Sequence, residues 1–125
     1  MADPVADCLF CKVAAGEIPV TVVRRGDNTV AFRDTDPQAD THVLVIPTTH
    51  YPTAAELVAQ DPVLMAELMA DAVRVAEQEG LMEGGYRLLT NTGDDAGQTV
   101  HHMHVHVLGG GPLGAMTGGV IRTAG

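Results

Sequence analysis

Short runs of apolar and β-branched residues predict a sheet of five strands. Residues 20–25 and 29–33 are two such runs, and the Gly-Asp-Asn turn between them predicts a hairpin. Residues 42–46 are almost continuously apolar, which is typical of a strand that is buried on both faces. Residues 86–91 and 102–108 are the remaining predicted strands.

Helix signals lie between these strands. Residues 8–15 form a predicted short helix that ends at Gly16. The pair Thr53 and Glu56 is a capping-box signature for a second helix. Asp61, followed by a proline at the first helical position, begins a longer one. The apolar stripe of this long helix consists of Met65, Leu68, Met69, Ala72, Val75 and Ala76.

The order of these elements predicts an α+β fold, in which two or three helices pack on a mainly antiparallel sheet. A length of 125 residues fits one domain, so we expect a single domain over residues 1–125. The chain is rich in glycine after Gly109, and we expect residues 111–125 to be an irregular tail.

The chain is acidic, with a formal net charge of −9. An acidic protein repels nucleic-acid backbones at long range, so we expect no nucleic-acid partner, although a small nucleotide is compatible with this charge. No run approaches the roughly 20 apolar residues that cross a bilayer. The polar, acidic residues 1–7 are unlike a secretory signal. We therefore expect a cytoplasmic protein with no membrane partner.

The most informative segment contains three histidines, each separated from the next by one apolar residue. Side chains alternate between the two faces of a strand, so His102, His104 and His106 are predicted to share one face. One alternative is an exposed polar face, and another is a metal site. On a straight strand the outer two imidazoles start about 13 Å apart, so one metal could bind two of the three but not all without a sharp bend. This spacing favours a division of labour.

Imidazole is well suited to reactions at phosphorus. Its ordinary pKa lies near 6.5, so its neutral form is an available nucleophile at cytosolic pH. A phosphoryl group requires an in-line nucleophile, donors for its oxygens and a proton source for the leaving group. A row of histidines supplies groups for all three tasks.

The run from His102 to Leu108 resembles the signature of the histidine-triad (HIT) family, in which histidines alternate with apolar residues. The similarity covers about residues 8–110 and is strongest to the Hint-like branch, the purine nucleoside phosphoramidases. The other matching segments are Cys8-Leu9-Phe10-Cys11-Lys12, Gly16-Glu17-Ile18-Pro19, Ala31-Phe32-Arg33-Asp34, Thr41-His42-Val43-Leu44-Val45-Ile46-Pro47 with His50, Asn91-Thr92-Gly93 and Gly97-Gln98-Thr99-Val100.

This resemblance implies a HIT-like fold and an enzyme that cleaves the α-phosphate bond of nucleoside 5′-phosphate derivatives such as adenosine 5′-phosphoramidate. His104 would carry a nucleotidyl intermediate, flanked by His102 and His106, with His42 as a fourth catalytic histidine. A purine nucleotide, AMP or a derivative, would be the ligand. The implied substrate contacts are Asp34 to the ribose, Asn91, Gln98 and Thr99 to the phosphate, and Phe10, Phe32 and Leu44 to the base.

The resemblance also implies a structural zinc ion. Its ligands would be Cys8, Cys11, His50 and His102, which supply the four nitrogen and sulfur atoms of a tetrahedral site. Family members form homodimers, and the methionine-bearing helix together with the strand at Tyr86 would form that interface.

Three features depart from the family pattern. His101 occupies a position that is often aromatic, Arg33 adjoins Asp34, and the tail lacks a tryptophan. Other functions therefore stay open. The alternatives are a dinucleoside polyphosphate hydrolase, a nucleotide-binding regulator with incidental catalysis, and a redox-sensing zinc protein that uses Cys8 and Cys11.

Overall fold

The structure, a computed structural model, describes residues 5–117. Its helices are α1 (Leu9–Ala14), α2 (Ala54–Gln60) and α3 (Pro62–Gln78). Its strands are β1 (Val22–Arg25), β2 (Thr29–Arg33), β3 (Thr41–Pro47), β4 (Tyr86–Leu89) and β5 (Val105–Gly109). Residues 111–117 are irregular, as expected of the tail, and the tail's residues 118–125 lie outside the described part.

Within the described residues, the five strands form one sheet in the order β1-β2-β3-β5-β4. Every neighbouring pair is antiparallel. The expected α+β fold, with an antiparallel five-stranded sheet and helices packed on it, is therefore confirmed. β3 lies at the centre, and its residues from His42 to Pro47 are all buried, as expected of a strand covered on both faces.

One face of the sheet, called here the helix face, packs against α3. Alternate residues of β3 and β5 point to it because side chains alternate along a strand. The helix face consists of Val43, Val45, Val105 and Val107, and it contacts Leu68, Ala72 and Val75 of α3 in one apolar cluster.

The opposite face, called here the histidine face, packs against α1. Its apolar residues Val30, Phe32, Leu44 and Ile46 form a separate cluster with Phe10 and Val13 of α1. His106 of β5 pairs directly with Leu44 of β3, and His42 lies two residues before Leu44 on the same strand. His42 and His106 therefore belong to the histidine face.

The start signals of α2 and α3 are confirmed. The Thr53 side chain accepts a hydrogen bond from the amide of Ala55 at 3.2 Å and also bonds Glu56. Asp61 Oδ1 accepts from the amide of Leu64 at 3.0 Å, with proline in the first turn. The predicted apolar stripe of α3 is partly wrong, because Met69 is 38% exposed.

α3 instead turns a carboxylate toward the sheet. Asp71 is buried at 3% exposure, bonds the Thr29 hydroxyl, and accepts from Arg74 at 2.7 Å and from Arg24 at 3.4 Å. Burial raises the pKa of Asp71, but its bonds to Thr29 and the two arginines outweigh burial and lower the pKa. This carboxylate thus ties α3 to the β1–β2 hairpin.

Two predicted strands are shorter than expected, and the difference matters at the histidines. β5 begins at Val105 and not at His102, because residues 102–104 bond outside the ladder. The amide of Met103 donates to the carbonyl of Tyr51 at 2.7 Å, and the hydroxyl of Thr90 donates to the carbonyl of His104 at 2.8 Å. β4 accordingly ends at Leu89 and not at residue 91.

The first predicted strand is also shorter at its start. β1 begins at Val22 and not at residue 20. Val20 packs instead against the apolar cluster of the histidine face, which draws the chain away from the ladder.

Candidate functional site

Three of the four predicted catalytic histidines form a continuous row. The ring centres of His104 and His106 are 5.0 Å apart, and those of His42 and His106 are 5.1 Å apart. All three rings are largely removed from solvent, so an exposed polar face is not what this segment forms. His102, the fourth, turns toward the two cysteines.

The hydrogen bonds of His42 and His106 fix the direction of this row. The backbone amide of Gln38 donates to His42 Nδ1 at 3.0 Å, so we assign the ring hydrogen of neutral His42 to Nε2. His42 Nε2 lies 2.8 Å from His106 Nδ1 and donates to it. Neutral His106 must then hold its own hydrogen on Nε2. The carboxylate of Asp34 lies 3.4 Å from His42 Nε2 and is a weaker, second contact.

His104 is oriented by a backbone carbonyl. Its Nδ1 lies 2.7 Å from the carbonyl oxygen of His102, which only accepts, so we assign the ring hydrogen of His104 to Nδ1. The lone pair of His104 is then on Nε2. The ring also packs edge-on against Phe10 at 5.0 Å between centres. The result is a buried imidazole with one available nitrogen nucleophile.

Burial keeps the row neutral. It lowers the pKa of His106 to about 4, helped by the neighbouring charges that His104 and His42 would carry. Burial likewise lowers the pKa of His42, against the opposing effect of Asp34 and Asp36. At neutral pH these imidazoles therefore act as hydrogen-bond groups and nucleophiles, not as cations.

A pocket of about 430 Å³ opens beside the row. This volume lies within the range of small-molecule sites. Phe10 and Phe32 meet at 5.5 Å between ring centres and form its apolar wall. Of the residues expected at the substrate, the pocket lining includes Phe10, Phe32, Leu44, Asp34, Thr99, His104 and His106.

Gln98 and Asn91, unlike Thr99, are not among the residues that line the pocket. Both hydrogens of the Gln98 side-chain amide are taken, since Nε2 donates to the carbonyl of Pro52 at 2.8 Å and to that of Val100 at 3.1 Å. Its Oε1 accepts from the amide of Gly93 at 2.9 Å. This buried side chain thus shapes the loop and offers no free N–H to a phosphate in this arrangement. Asn91 follows β4 and is not among the described lining residues.

The predicted metal ligands come together from three parts of the chain. His102 Nδ1 lies 3.4 Å from Cys8 Sγ, 3.5 Å from Cys11 Sγ and 3.3 Å from His50 Nδ1. Cys11 Sγ lies 3.4 Å from His50 Nδ1. His102 Nε2 donates to the carbonyl of Pro47 at 2.8 Å, which directs the Nδ1 lone pair toward the cluster. These four residues could hold a metal ion.

A second group of Asp34, His42 and His106 is also close enough to hold a metal. Its two nitrogens, however, already bond each other at 2.8 Å. A metal would have to break this bond, so we regard the group as a hydrogen-bonded row.

Sequence reasoning missed the groups that orient these rings. They are the backbone of Gln38, Pro47 and His102 and the hydroxyl of Thr90. A backbone group leaves no signal in a side-chain pattern, and a threonine near a strand end is too common to single out.

The family follows from comparison with known proteins. A model of the HIT domain matches residues 15–113. The chain belongs to the HIT family. A purine nucleoside phosphoramidase of Escherichia coli K12 is 44% identical over 110 residues, which are 88% of this chain and 92% of that protein.

Solved HIT structures agree with this assignment. A HIT family hydrolase from Legionella pneumophila Philadelphia 1 is 46% identical with a TM-score of 0.86, over 90% of this chain and 100% of that one. A histidine triad nucleotide-binding protein from Candida albicans is 30% identical with a TM-score of 0.75, over 81% of this chain and 73% of that one. The expected HIT-like fold and the expectation of an enzyme are thus confirmed. Among residues 5–117, no helix has the length and apolar content that a membrane span requires.

Proposed function

We propose that this HIT enzyme hydrolyses nucleoside 5′-phosphate derivatives of the adenosine 5′-phosphoramidate type through a nucleotidyl intermediate on His104. The observation that carries this proposal is the bond from His104 Nδ1 to the carbonyl of His102, which leaves the Nε2 lone pair on a ring that lines the pocket. The phosphoramidase from E. coli, at 44% identity, supports the choice of substrate class.

The reaction has two displacements. In the first, the lone pair of His104 Nε2 forms a bond to the α-phosphorus while the bond from phosphorus to the leaving amine breaks, and the amine takes up a proton from solvent. In the second, water attacks the same phosphorus and releases a proton to solvent, the bond to His104 breaks, and a nucleoside monophosphate leaves. The row from Gln38 through His42 gives neutral His106 an N–H on Nε2, which can donate a hydrogen bond to a phosphate oxygen or to the leaving group and thereby stabilise developing charge.

The nucleoside would occupy the pocket beside the row. Phe10, Phe32 and Leu44 form the apolar surface for a purine, and Asp34 lies at the rim to accept from ribose hydroxyls. Thr99, which is exposed and lines the pocket, is the proposed phosphate donor. For Gln98 we propose a positioning role through the loop, and the expected phosphate contact of Asn91 stays a prediction.

We further propose that the ion held by Cys8, Cys11, His50 and His102 is zinc. In a regular tetrahedron, Zn–S bonds of about 2.3 Å and Zn–N bonds of about 2.1 Å separate sulfur from nitrogen by about 3.6 Å, and two nitrogens by about 3.4 Å. The separations of 3.3 to 3.5 Å fit this geometry. Four protein ligands close the site, so zinc would act as a structural ion. Cysteines that bind a metal and form no disulfide are typical of a reducing compartment, which supports a cytoplasmic location.

The homodimer also stays a proposal. α3 exposes apolar side chains at Val63, Met69 and Val73, and β4 is an edge strand of the sheet. A second copy that covered both would remove apolar surface from water and pair the edge. Sedimentation of the native chain and of Met69→Glu tests this arrangement.

The test of function is turnover of adenosine 5′-phosphoramidate, followed by phosphorus NMR. We expect the native protein to release AMP and His104→Ala to be slower by about a thousandfold or more. His101→Ala is the matched control, because His101 is an exposed histidine three residues away. If the native protein binds AMP but turns nothing over, it is a nucleotide-binding protein and the proposal is wrong. If the protein instead cleaves dinucleoside polyphosphates preferentially, these compounds and not phosphoramidates are its substrate class.

A further inference from the structure

The metal group and the nucleophile share one residue. His102 is fully buried and each of its polar side-chain atoms, as well as its carbonyl, has a defined neighbour. Its Nδ1 faces the ligands, its Nε2 donates to the carbonyl of Pro47, and its own carbonyl accepts from His104 Nδ1 at 2.7 Å. The acceptor that fixes the ring of His104 is therefore part of a metal ligand.

The peptide that carries this carbonyl is not held by the sheet. β5 begins only at Val105, so no ladder fixes the orientation of residue 102. The same peptide unit carries the N–H of Met103, which donates to the carbonyl of Tyr51 at 2.7 Å. Tyr51 directly follows the ligand His50, so the orientation of this peptide depends on how His102 and the segment at His50 are held relative to each other.

That side chain is held in an arrangement that suits an ion. The bond to Pro47 puts the lone pair of His102 Nδ1 into the cluster, 3.3 Å from His50 Nδ1. With an ion between them, both nitrogens and both sulfurs direct lone pairs at a positive charge. Without it, the cysteines carry protons and only weak hydrogen bonds between thiol and imidazole hold the His102 ring on this side, so the ring can turn more easily.

We propose that metal occupancy at Cys8, Cys11, His50 and His102 sets the orientation and the tautomer of His104, which makes His102 a positioning residue for the nucleophile. If the His102 carbonyl turns away, His104 loses the acceptor that keeps its hydrogen on Nδ1. A ring with its hydrogen on Nε2 has no lone pair there with which to attack. The expected effect on kcat rests on the proposed function, whereas the expected effect on the tautomer of His104 rests on geometry alone.

The test removes a ligand that belongs neither to the catalytic row nor to the cysteine pair. His50→Ala deletes one nitrogen ligand, His101→Ala is the matched control, and His50→Cys restores four ligands as the Cys₃His set that binds structural zinc. Each protein is prepared with zinc, and its zinc content is measured by mass spectrometry. Nitrogen NMR of ¹⁵N-histidine-labelled protein with AMP bound reports which nitrogen of His104 carries hydrogen, and steady-state kinetics with adenosine 5′-phosphoramidate separates kcat from AMP affinity.

We expect His50→Ala to lose zinc, to show His104 with hydrogen partly on Nε2, and to lower kcat by about 10–100-fold while AMP affinity stays within about threefold. His50→Cys should regain zinc, the Nδ1 tautomer and most of kcat, and His101→Ala should match the native protein. A zinc-free His50→Ala that keeps both the tautomer and kcat would overturn the proposal. So would a fall in AMP affinity as large as the fall in kcat, since that indicates general damage.

A second measurement covers the case in which His50→Ala does not fold. The native chain stripped of metal by a chelator, and then reloaded with zinc, gives both states of occupancy without a substitution. A fall in kcat and a shifted His104 nitrogen resonance on metal removal, both reversed by zinc at unchanged AMP affinity, support the proposal. No change in either, or an equal fall in AMP affinity, contradicts it. If native protein lacks phosphoramidase activity, the proposed function fails, yet the tautomer comparison still decides the inference.

Discussion

The two faces of the sheet use the same strands in different ways. On the helix face, Val43, Val45, Val105 and Val107 are at most 2% exposed, and α3 covers them with 17 residues. On the histidine face, the alternate positions of β3 and β5 include His42 and His106, and the covering helix α1 has only 6 residues. The short cover leaves a pocket of about 430 Å³. β3 and β5 thus contribute to the apolar core on the helix face and carry two of the candidate catalytic histidines on the histidine face.

Buried polar groups also differ between the faces. Asp71 under α3 is stabilised as an anion by two arginines and a hydroxyl. His42 and His106 bond each other, and burial holds both neutral at ordinary pH. A charged pair adds to stability without needing to react, whereas a neutral imidazole row stays available for a substrate.

The largest effect should follow a change on the histidine face. His106→Asn keeps a polar group opposite His42 but removes the donor at Nε2, so kcat for adenosine 5′-phosphoramidate should fall by about 10²–10⁴-fold. The free energy of unfolding, measured with urea, should change little. A variant that loses stability but keeps kcat would reverse the division between the faces.

A change on the helix face should do the opposite. Leu68 is fully buried against the sheet, and Leu68→Ala should lower the free energy of unfolding by about 2–5 kcal/mol. Val58→Ala on α2, where the side chain is 51% exposed, is the matched control and should stay within about 0.5 kcal/mol. At a temperature where Leu68→Ala remains folded, its kcat should equal that of the native protein. A large loss of kcat there would mean that the faces are coupled.

The next prediction concerns acid. Because burial lowers the pKa of His106 to about 4 from an ordinary 6.5, the unfolded chain binds the proton more readily than the folded one. His106 should therefore reduce stability as the pH falls from 6.5 toward 4. Asp71 has a lowered pKa, so its stabilisation should persist over that range and be lost only at lower pH. Proton NMR titration of the His106 ring tests the sign, and a midpoint near 6.5 would contradict burial of the row.

The helix face was the more predictable of the two. Short apolar and β-branched runs located all five strands among the described residues, and cap residues such as Thr53 and Asp61 located the helix starts. These signals are local, since a cap or an apolar run depends on neighbours in sequence. The burial of Asp71 beside this stripe escaped prediction because it depends on Thr29 and Arg24, which lie far along the chain.

The histidine face was predictable in its residues but not in its geometry. The pattern of histidines and the family resemblance named His104 and the four metal ligands, which the structure brings together as two neighbouring groups. The alternation of a strand does not explain the position of His102, because residues 102–104 precede β5 and are not part of a strand. Backbone acceptors and donors set the tautomers, and the side-chain amide of Gln98, expected to contact the phosphate, donates instead to the carbonyls of Pro52 and Val100.

The smallest predicted effect concerns Thr90, which follows β4 and bonds the segment before β5. Thr90 donates to the carbonyl of His104 at 2.8 Å and replaces a ladder bond just before β5 begins. Thr90→Val removes this bond at nearly constant shape and should cost about 0.5–1.5 kcal/mol of unfolding free energy. Thr90→Ser keeps the hydroxyl and is the matched control.

Since the carbonyl that Thr90 contacts belongs to the proposed nucleophile His104, kcat should also fall in Thr90→Val but not in Thr90→Ser. Unfolding in urea and turnover of adenosine 5′-phosphoramidate measure the two effects. If Thr90→Val loses stability but keeps kcat, the Thr90 bond contributes to folding and not to the reaction. If Thr90→Val and Thr90→Ser have the same stability and the same kcat, the bond contributes to neither.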